Sequence, residues 1–216
     1  MRLCSRTWKA SLRYLRTTRL FGPSAEKGVR EGLVFIGNWG DGERSEELEL
    51  FLLRPAAALG VPLDIHGVRY SPAALAALSA SGARYRGWLA NAEAPRVFAR
   101  HLATVHVPRR FYVDALPGIP TIRVFEALAC GIPLLSAFWD DAEALFRPGQ
   151  DYLVARSGQE MERHMRAVLN DGGLRASLRA SGLETIRARH TCAHRVDELL
   201  AICARLKHAP AAEECV

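Results

Sequence analysis

The sequence predicts an α/β fold, a Rossmann-like doubly wound parallel sheet of about six strands with C-terminal helices. From residue 33 onward, short apolar runs alternate with helical segments. The first run, Leu33-Val34-Phe35-Ile36, is continuously apolar rather than alternating. Strands of this kind suit a parallel sheet that helices cover on both faces. In such a sheet we expect ligands at the carboxyl ends of the strands.

Turn and cap signals separate the predicted elements. Ser71-Pro72 is typical of a helix start, because serine caps the first amides and proline fits the first turn. Pro55 predicts a kink or break in the helix that contains it. The predicted strands cover residues 33–36, 63–68, 83–88, 103–107, 133–138 and 152–155. The predicted helices cover residues 43–59, 71–80, 91–101, 140–146, 158–170, 174–189 and 195–207, together with the run between Pro120 and Gly131. Residues 108–118 are predicted to form a polar and aromatic loop.

The net positive charge of the chain is concentrated in its N-terminal segment. The formal net charge is +6, and residues 1–19 contain only basic residues and no acids among their charged side chains. The remainder is therefore neutral, and no basic face for nucleic acid is predicted. Three regions follow: a basic, poorly ordered extension over 1–31, a Rossmann-like domain over 32–207, and a C-terminal tail over 208–216.

Residues 1–31 have an alternative interpretation. Trp8, Leu12 and Leu15 are spaced as on one face of a short basic helix, which could lie on a membrane surface or direct import into an organelle. Membrane association is not expected, because no apolar run approaches the ~18 residues that span a bilayer.

The cysteines and histidines predict a reduced, metal-free protein. The five cysteines have no C-x-x-C spacing, and an odd number of free thiols suits a cytoplasmic location. His190 and His194 are four residues apart and could share a helix face that binds zinc. No third ligand of suitable type lies nearby in the sequence, so no metal site is predicted.

A stretch from Gly118 to Ser136 carries the clearest binding signal. Gly118 and Pro120 lead into a helical run that contains Glu126 and ends at Gly131. The start of a helix after a glycine-bearing loop can hold a phosphate, because its first amides have no partner within the helix. A carboxylate further along the helix can accept hydrogen bonds from sugar hydroxyls. The stretch therefore predicts a nucleotide site.

The loop after the first strand, Gly37-Asn38-Trp39-Gly40-Asp41-Gly42, could approach a ligand closely through its glycines. An ordinary strand-to-helix turn is the alternative. The G-x-x-G-x-G spacing does not match a dinucleotide fingerprint, and the Lys-Ser/Thr ending of a P-loop is missing. The sequence has no ordered triad signature, so it gives no support for a hydrolase.

Two further loops supply candidate ligand contacts. Gly87-Trp88 follows the third strand and could face a flat base; a core tryptophan is the alternative. Arg109-Arg110 follows the fourth strand and suits a pyrophosphate, because guanidinium groups pair bidentately with phosphate oxygens. A solvated charged loop is the alternative to that interpretation.

Three segments resemble, in the same order, the GT-B-fold glycosyltransferases of the spore-maturation-protein-like (CgeB-type) group. Residues 123–131 resemble their R-x-F-E-A-x-A-C-G segment, residues 145–149 their L-F-x-P-G turn, and residues 190–195 their late H-T-x-x-x-R motif. The resemblance extends over about residues 32–206. It implies that the chain is one half of a GT-B fold, the half that binds a nucleotide-sugar donor.

The resemblance also implies roles for individual residues. Glu126 would hold the ribose hydroxyls, the amides of residues 119–122 with Arg123 nearby would face the diphosphate, and Gly87-Trp88 would face the base. Gly37-Asn38-Trp39 would lie near the diphosphate and the cleft. No metal or other cofactor is expected, and no catalytic residue is assigned. The predicted donor-binding residues are Glu126, Arg123, Thr121, Ile122, Gly118, Gly37, Asn38, Trp39, Gly87, Trp88, Arg109 and Arg110.

Two departures from the resemblance qualify the predicted function. Gly118 stands where many relatives have a first glutamate near the transferred sugar, although Asp114 could approach that position. About 31 residues precede the first strand, whereas an acceptor domain needs well over a hundred. We therefore expect the donor part of a glycosyltransferase, working with a nucleotide-sugar and a possible separate acceptor-domain chain. The alternatives are a non-catalytic module that binds a nucleotide or a partner, and an inactive fragment.

Overall fold

The computed structural model describes residues 21–24, 28–40, 42–115 and 121–207, without the side chains of Tyr112 and Lys207. Most of the predicted extension and all of the predicted tail therefore lie outside the described residues. The strands are β1 (Leu33–Ile36), β2 (Leu63–His66), β3 (Arg84–Gly87), β4 (Ala103–His106), β5 (Leu134–Ala137) and β6 (Leu153–Ala155). The helices are α1 (45–58), α2 (Pro72–Ala80), α3 (Ala94–Ala99), α4 (Arg110–Asp114), α5 (Ile122–Cys130), α6 (Gly158–Asn170), α7 (Gly172–Arg189) and α8 (Cys192–Lys207).

The described strands form one parallel sheet in the order β3-β2-β1-β4-β5-β6. Leu33 of β1 pairs with Leu63 of β2 on one side and with Ala103 of β4 on the other. The strand order therefore reverses between β1 and β4, which is where doubly wound folds open a ligand crevice at the carboxyl ends of the strands. The predicted fold class is confirmed.

Two hydrophobic clusters cover the two faces of the sheet. Leu33 and Phe35 belong to the first cluster with residues of α1, α2 and α6. Val34 and Ile36 belong to the second with residues of α3 and α5. Successive residues of a strand point to opposite faces, so the continuous apolar run of β1 is buried on both sides.

The kink or break expected at Pro55 takes the form of a wider helical turn within α1. The helix is α-helical over Ser45–Leu48 and Arg54–Ala58, and π-helical over Glu49–Leu53. Proline lacks an N–H group and crowds the carbonyl four residues earlier, so an α-helical turn before Pro55 is disfavoured. The π-helical turn shifts the hydrogen bonds there and lets the helix continue.

The prediction of a helix over residues 140–146 is wrong, since this segment has a turn at residues 142–143 and is otherwise irregular. The carboxylate of Asp141 accepts hydrogen bonds from the backbone N–H groups of Leu145 (3.0 Å) and Phe146 (2.9 Å). These bonds satisfy the amides in place of helical carbonyls. Ala144 has a φ of 49°, a left-handed conformation that ends a right-handed helix. The predicted loop at 108–118 contains the short helix α4.

Helix α8 makes little contact with the rest of the described domain, and its residues from Asp197 to Leu206 are all exposed. It follows α7 directly, and Cys192 and Cys203, both on α8, are exposed free thiols. Within the described part of the chain, none of the helices has the length and apolar character needed to cross a membrane.

Candidate functional site

Glu126 lies on α5 and is buried, with 5% of its side chain exposed. Its Oε2 atom accepts a hydrogen bond from Nη1 of Arg123, one turn earlier in the helix. Burial raises the pKa of Glu126, although the charge and the hydrogen bond of Arg123 oppose this shift. No other described residue hydrogen-bonds to this carboxylate. Its remaining lone pairs can therefore accept hydrogen bonds from ligand hydroxyls.

The start of α5 lies at the carboxyl end of the sheet, close to β4. Thr121 is the N-cap residue, but its side chain makes no capping bond to the first turn, and Ile122 is exposed. The amides of Ile122 and Arg123 have no intrahelical partner at the positive end of the helix dipole, while the amide of Val124 donates to the carbonyl of Thr121 (3.2 Å). Gly118 and residues 119 and 120, which belong to the same prediction, lie outside the described residues.

A chain of hydrogen bonds through His106 fixes the helix start, and the sequence did not reveal it. The Ser136 hydroxyl donates to the carbonyl of Ala137 (2.7 Å), so it accepts from Nδ1 of His106 (2.9 Å). Nε2 of His106 then accepts from the hydroxyl of Thr121 (2.8 Å). Burial, with a smaller contribution from the charge of Arg44, lowers the pKa of His106 to about 3. The imidazole is therefore neutral and links β4 and β5 to α5.

Arg44 is a second site residue that the sequence reasoning missed. It is the N-cap residue of α1, where its cation meets the positive end of the helix. Nη1 donates to the carbonyl of Val107 (3.0 Å), Nη2 donates to the carbonyl of Asn38, and the guanidinium lies 5.4 Å from the ring centroid of Phe35. A basic residue at an unfavourable helix position was the available signal.

The loop glycines make room for Arg44. A Cβ atom on Gly40 would lie 2.7 Å from Cγ of Arg44, and a Cβ atom on Gly37 would lie 3.0 Å from its Nη2. Burial, together with the charge of Arg109, lowers the pKa of Arg44 to about 10. Its Nε is buried and has no hydrogen-bond partner among the described residues. The loop after β1 thus presents a half-buried cation to the crevice between β1 and β4.

Trp39 packs in an aromatic cluster behind the same loop. Its ring centroid lies 6.0 Å from that of Tyr70, which lies 4.8 Å from that of Tyr85. The hydroxyl of Tyr70 donates to the carbonyl of Gly37 (2.8 Å). These contacts hold the backbone of Gly37 in place, so Trp39 contributes to the shape of the loop.

Arg109 and Arg110 are paired with acidic residues at the start of α1. Nη1 of Arg109 lies 3.2 Å from Oε2 of Glu43, and Nε of Arg110 lies 2.6 Å from Oε1 of Glu47. Arg110 also lies 3.4 Å from Glu46. The structure places both arginines at the carboxyl end of the sheet, as predicted, but their charges are already partly neutralised by α1.

Gly87 and Trp88 end the outermost strand on the opposite side of the crevice. Gly87 has a φ of 77°, and its carbonyl accepts from the amide of Gly67 (2.9 Å). Trp88 is 73% exposed, which excludes the alternative of a core tryptophan. Three strand spacings separate β3 from β4, or about 14 Å. An extended nucleoside diphosphate has a comparable length.

A cavity of about 280 Å³ opens beside this end of the sheet, between the carboxyl ends of β4 and β5 and the helices α1 and α4. Its wall includes Val107, Phe138 and Arg156, and the Arg156 guanidinium lies 3.7 Å from the ring centroid of Phe138. The structure thus brings the loops after β1 and β4, the start of α5 and this cavity together, whereas Gly87 and Trp88 lie further along the same edge.

Among the described residues, no group of three or more histidine, cysteine, aspartate or glutamate side chains could hold a metal ion. His190 donates through Nε2 to the carbonyl of Leu145 (2.8 Å), and its ring centroid lies 4.9 Å from that of Phe146. His194 bonds through Nδ1 to the Thr191 hydroxyl (2.6 Å). The two histidines therefore stabilise the junction between α7 and α8.

A doubly wound parallel domain of this order has the architecture of one half of a GT-B glycosyltransferase. Residues 44–201 match the family described as glycosyl transferase-like, and the chain belongs to that family. No curated protein matches the sequence.

Solved structures share the fold. Sucrose-phosphate synthase from Thermosynechococcus elongatus matches with a TM-score of 0.70 and 15% identity, over 89% of this chain and 51% of that chain. T4 phage β-glucosyltransferase in complex with UDP-glucose matches with a TM-score of 0.60 and 13% identity, over 78% and 47%. The C-terminal domain of a group 1 glycosyl transferase (LpcC) from Francisella tularensis matches with a TM-score of 0.61 and 12% identity, over 81% and 98%. The chain thus spans about half the length of the first two proteins.

Proposed function

We propose that the chain is the donor-binding part of a glycosyltransferase and binds a nucleoside-diphosphate sugar at the carboxyl end of its sheet. The observation that carries this proposal is the buried Glu126, which has one hydrogen-bond partner among the described residues and lies on a helix whose N-cap side chain makes no capping bond. Two of the proteins that share the fold are described with UDP-glucose or UDP. A nucleotide-sugar is therefore the first ligand to test.

The proposed contacts follow from charge and position. Glu126 accepts from the ribose hydroxyls, and the first amides of α5, with Arg44 and Arg123, face the diphosphate. Trp88 offers an exposed aromatic face to the base. Amides and guanidinium groups take the phosphate charge, so the proposed site needs no metal ion.

Transfer would break the bond between the anomeric carbon and the diphosphate oxygen and form a bond to an acceptor oxygen or nitrogen. The acceptor loses a proton, and the nucleoside diphosphate leaves. Preorganised amides and cations that face the leaving diphosphate stabilise its developing charge. In this proposal Arg44 is suited to that role, since its guanidinium is half-buried and held by two carbonyl groups.

We further propose that α8 contacts a separate acceptor domain. The chain spans 51% of the length of sucrose-phosphate synthase. The large apolar side chains of α8 that are exposed are Leu199, Leu200, Ile202 and Leu206. An apolar stripe on a helix is normally covered by a partner surface. We also propose membership of the CgeB-type group, which the three sequence segments support, and a cytoplasmic location, which the odd number of cysteines supports.

The binding test uses calorimetric titration of the full chain with UDP and UDP-glucose, with and without EDTA. Glu126→Gln should weaken the affinity at least tenfold, since the amide loses the charge-assisted hydrogen bonds to the ribose. Glu162→Gln, which changes a half-buried acid on α6 that pairs with Arg166, is the matched control and should leave the affinity unchanged. Equal affinity of Glu126→Gln and the wild type would refute the assignment of the site.

A non-catalytic nucleotide-binding module is the alternative to test, since the chain spans 51% of the length of sucrose-phosphate synthase. Release of free sugar from UDP-glucose, or transfer to an added acceptor, distinguishes the two. Turnover by the chain, alone or with an acceptor domain, supports the glycosyltransferase. Tight nucleotide binding without turnover in either condition supports the module.

A further inference from the structure

A second charged pocket lies at the opposite end of the sheet from the proposed donor site. Pro133 precedes β5, Arg30 precedes β1, and Gly172 begins α7 after the end of α6, so all three lie at the amino ends of the strands. With Arg175, Arg179 and Leu183 they line a cavity of about 390 Å³. Cavities of this volume are large enough for a small ligand.

Three arginines line this cavity, and none of the described residues that line it is an acid. Among the described residues, none of Arg30, Arg175 and Arg179 forms an ion pair. Burial, together with the charges of Arg179 and Arg175, lowers the pKa of Arg30. The acid nearest in sequence to Arg175, Asp171, has its Oδ1 engaged by the amide of Leu174 (2.9 Å). The pocket therefore concentrates positive charge in a domain whose residues beyond the N-terminal segment are neutral.

Two of the three arginines are held in place by the fold. Nη1 of Arg175 donates to the carbonyls of Val168 (2.5 Å) and Leu169 (3.0 Å) at the end of α6. The side chain of Arg179 packs over Gly131, where an added Cβ atom would lie 3.2 Å from its Nε. Guanidinium groups fixed in this way lose little conformational entropy when they bind an anion.

We propose that this pocket binds a phosphate monoester, with Arg30, Arg175 and Arg179 as its ligands. Guanidinium groups match the oxygens of a phosphate in bidentate geometry, and a dianion offsets the repulsion among three cations. Pro133 and Leu183 supply an apolar wall for the esterified group. The monoester is either a free phosphorylated metabolite or the headgroup of a lipid.

The test compares glycerol phosphate in solution with vesicles that contain phosphatidic acid, using the full chain. Titration of ¹⁵N-labelled protein should shift the amides of residues 172–176 in a saturable way. The double variant Arg30→Gln/Arg179→Gln should bind at least tenfold more weakly, since two charge-assisted contacts are lost. Arg187→Gln, an exposed arginine on the same helix, is the matched control and should bind like the wild type.

The thermal stability of the double variant also tests whether the three arginines repel one another. Without ligand, the double variant should unfold at the same or a higher temperature than the wild type, because two like charges are removed. Binding to glycerol phosphate supports a soluble ligand, and binding to vesicles alone supports a lipid headgroup. The proposal is overturned if neither probe binds saturably, or if the folded double variant binds as tightly as the wild type. UDP binding tests the donor site separately.

Discussion

Two of the buried carboxylates of this domain, Asp151 and Glu126, differ in how fully they are satisfied. Asp151 and Glu126 each pair with an arginine that precedes them by three or four residues. Asp151 is fully buried and accepts hydrogen bonds from several groups: Ser181 Oγ (2.6 Å), Thr185 Oγ1 (2.9 Å), Arg147 N (2.9 Å) and the Arg147 guanidinium (3.0 Å). Glu126 accepts only from Arg123 among the described residues.

The pKa values of the two groups shift in opposite directions. Burial acts to raise the pKa of Asp151, but the hydrogen bonds from Ser181, Arg147 and Thr185 outweigh it and the pKa is lowered. Burial dominates at Glu126, and its pKa is raised. A satisfied buried carboxylate stabilises the fold, whereas a carboxylate with spare acceptors is available to a ligand. The comparison therefore separates a structural acid, Asp151, from the proposed binding acid, Glu126.

The largest expected effect comes from the structural acid. Asp151→Ala should lower the free energy of unfolding by about 3 kcal/mol, because the Arg147 guanidinium and two hydroxyl groups lose their acceptor. Urea unfolding measures it. Glu184→Ala removes an exposed partner of the same arginine and should cost less than about 0.5 kcal/mol. If Asp151→Ala lowered the free energy of unfolding by less than about 1 kcal/mol, the structural role of Asp151 would be refuted.

A smaller effect is expected at Arg44, the cation of the proposed donor site. Gly40 and Gly42 both have a positive φ, 94° and 89°, but only a Cβ atom on Gly40 would collide with Arg44. Both alanine variants should pay about 1 kcal/mol for the backbone conformation. Gly40→Ala should lower the free energy of unfolding in urea by about 1 to 2 kcal/mol more than Gly42→Ala does, because Arg44 is displaced. For the same reason it should weaken UDP binding. Equal costs for the two variants would show that Arg44 does not need the space.

The binding acid should behave differently from Asp151 when its charge is removed. Glu126→Gln should leave the free energy of unfolding unchanged or raise it by up to about 1 kcal/mol, because the buried charge is unfavourable. Urea unfolding of this variant and of Asp151→Ala, in the same buffer at neutral pH, compares the two acids directly. A destabilisation of Glu126→Gln by about 2 kcal/mol would place it with the structural acids.

The strands, the doubly wound fold class and the place of Glu126 on a helix could be predicted because their signals are local. Apolar runs, cap residues and a glycine-bounded helix are all read within a few positions. The role of Arg44 depends on the carbonyl of Val107, 63 residues away, and that of His106 on Ser136, 30 residues away. Contacts of this separation leave no local pattern. The pairing of Arg109 with Glu43 also joins residues far apart in the sequence, so no local pattern predicted it.

The smallest expected effects are the contributions of the two acids to the pH dependence of the free energy of unfolding. These contributions change in different pH ranges. For Glu126 the folded pKa lies above the unfolded value of 4.5, so its charge destabilises the fold as pH rises from 4.5 through the folded pKa. For Asp151 the folded pKa lies below the unfolded value of 3.8, so its contribution is present above 3.8 and is lost as pH falls through the folded pKa.

Urea unfolding at successive pH values checks these signs when each isosteric variant is subtracted from the wild type. The wild type should lose stability relative to Glu126→Gln on going from pH 4.5 towards neutral pH. It should keep a constant advantage over Asp151→Asn in that range and lose it below pH 3.8. Each slope is limited to about 1.4 kcal/mol per pH unit, since one proton is exchanged. Two difference curves that slope the same way would mean that both carboxylates are equally satisfied, and the distinction between them would fail.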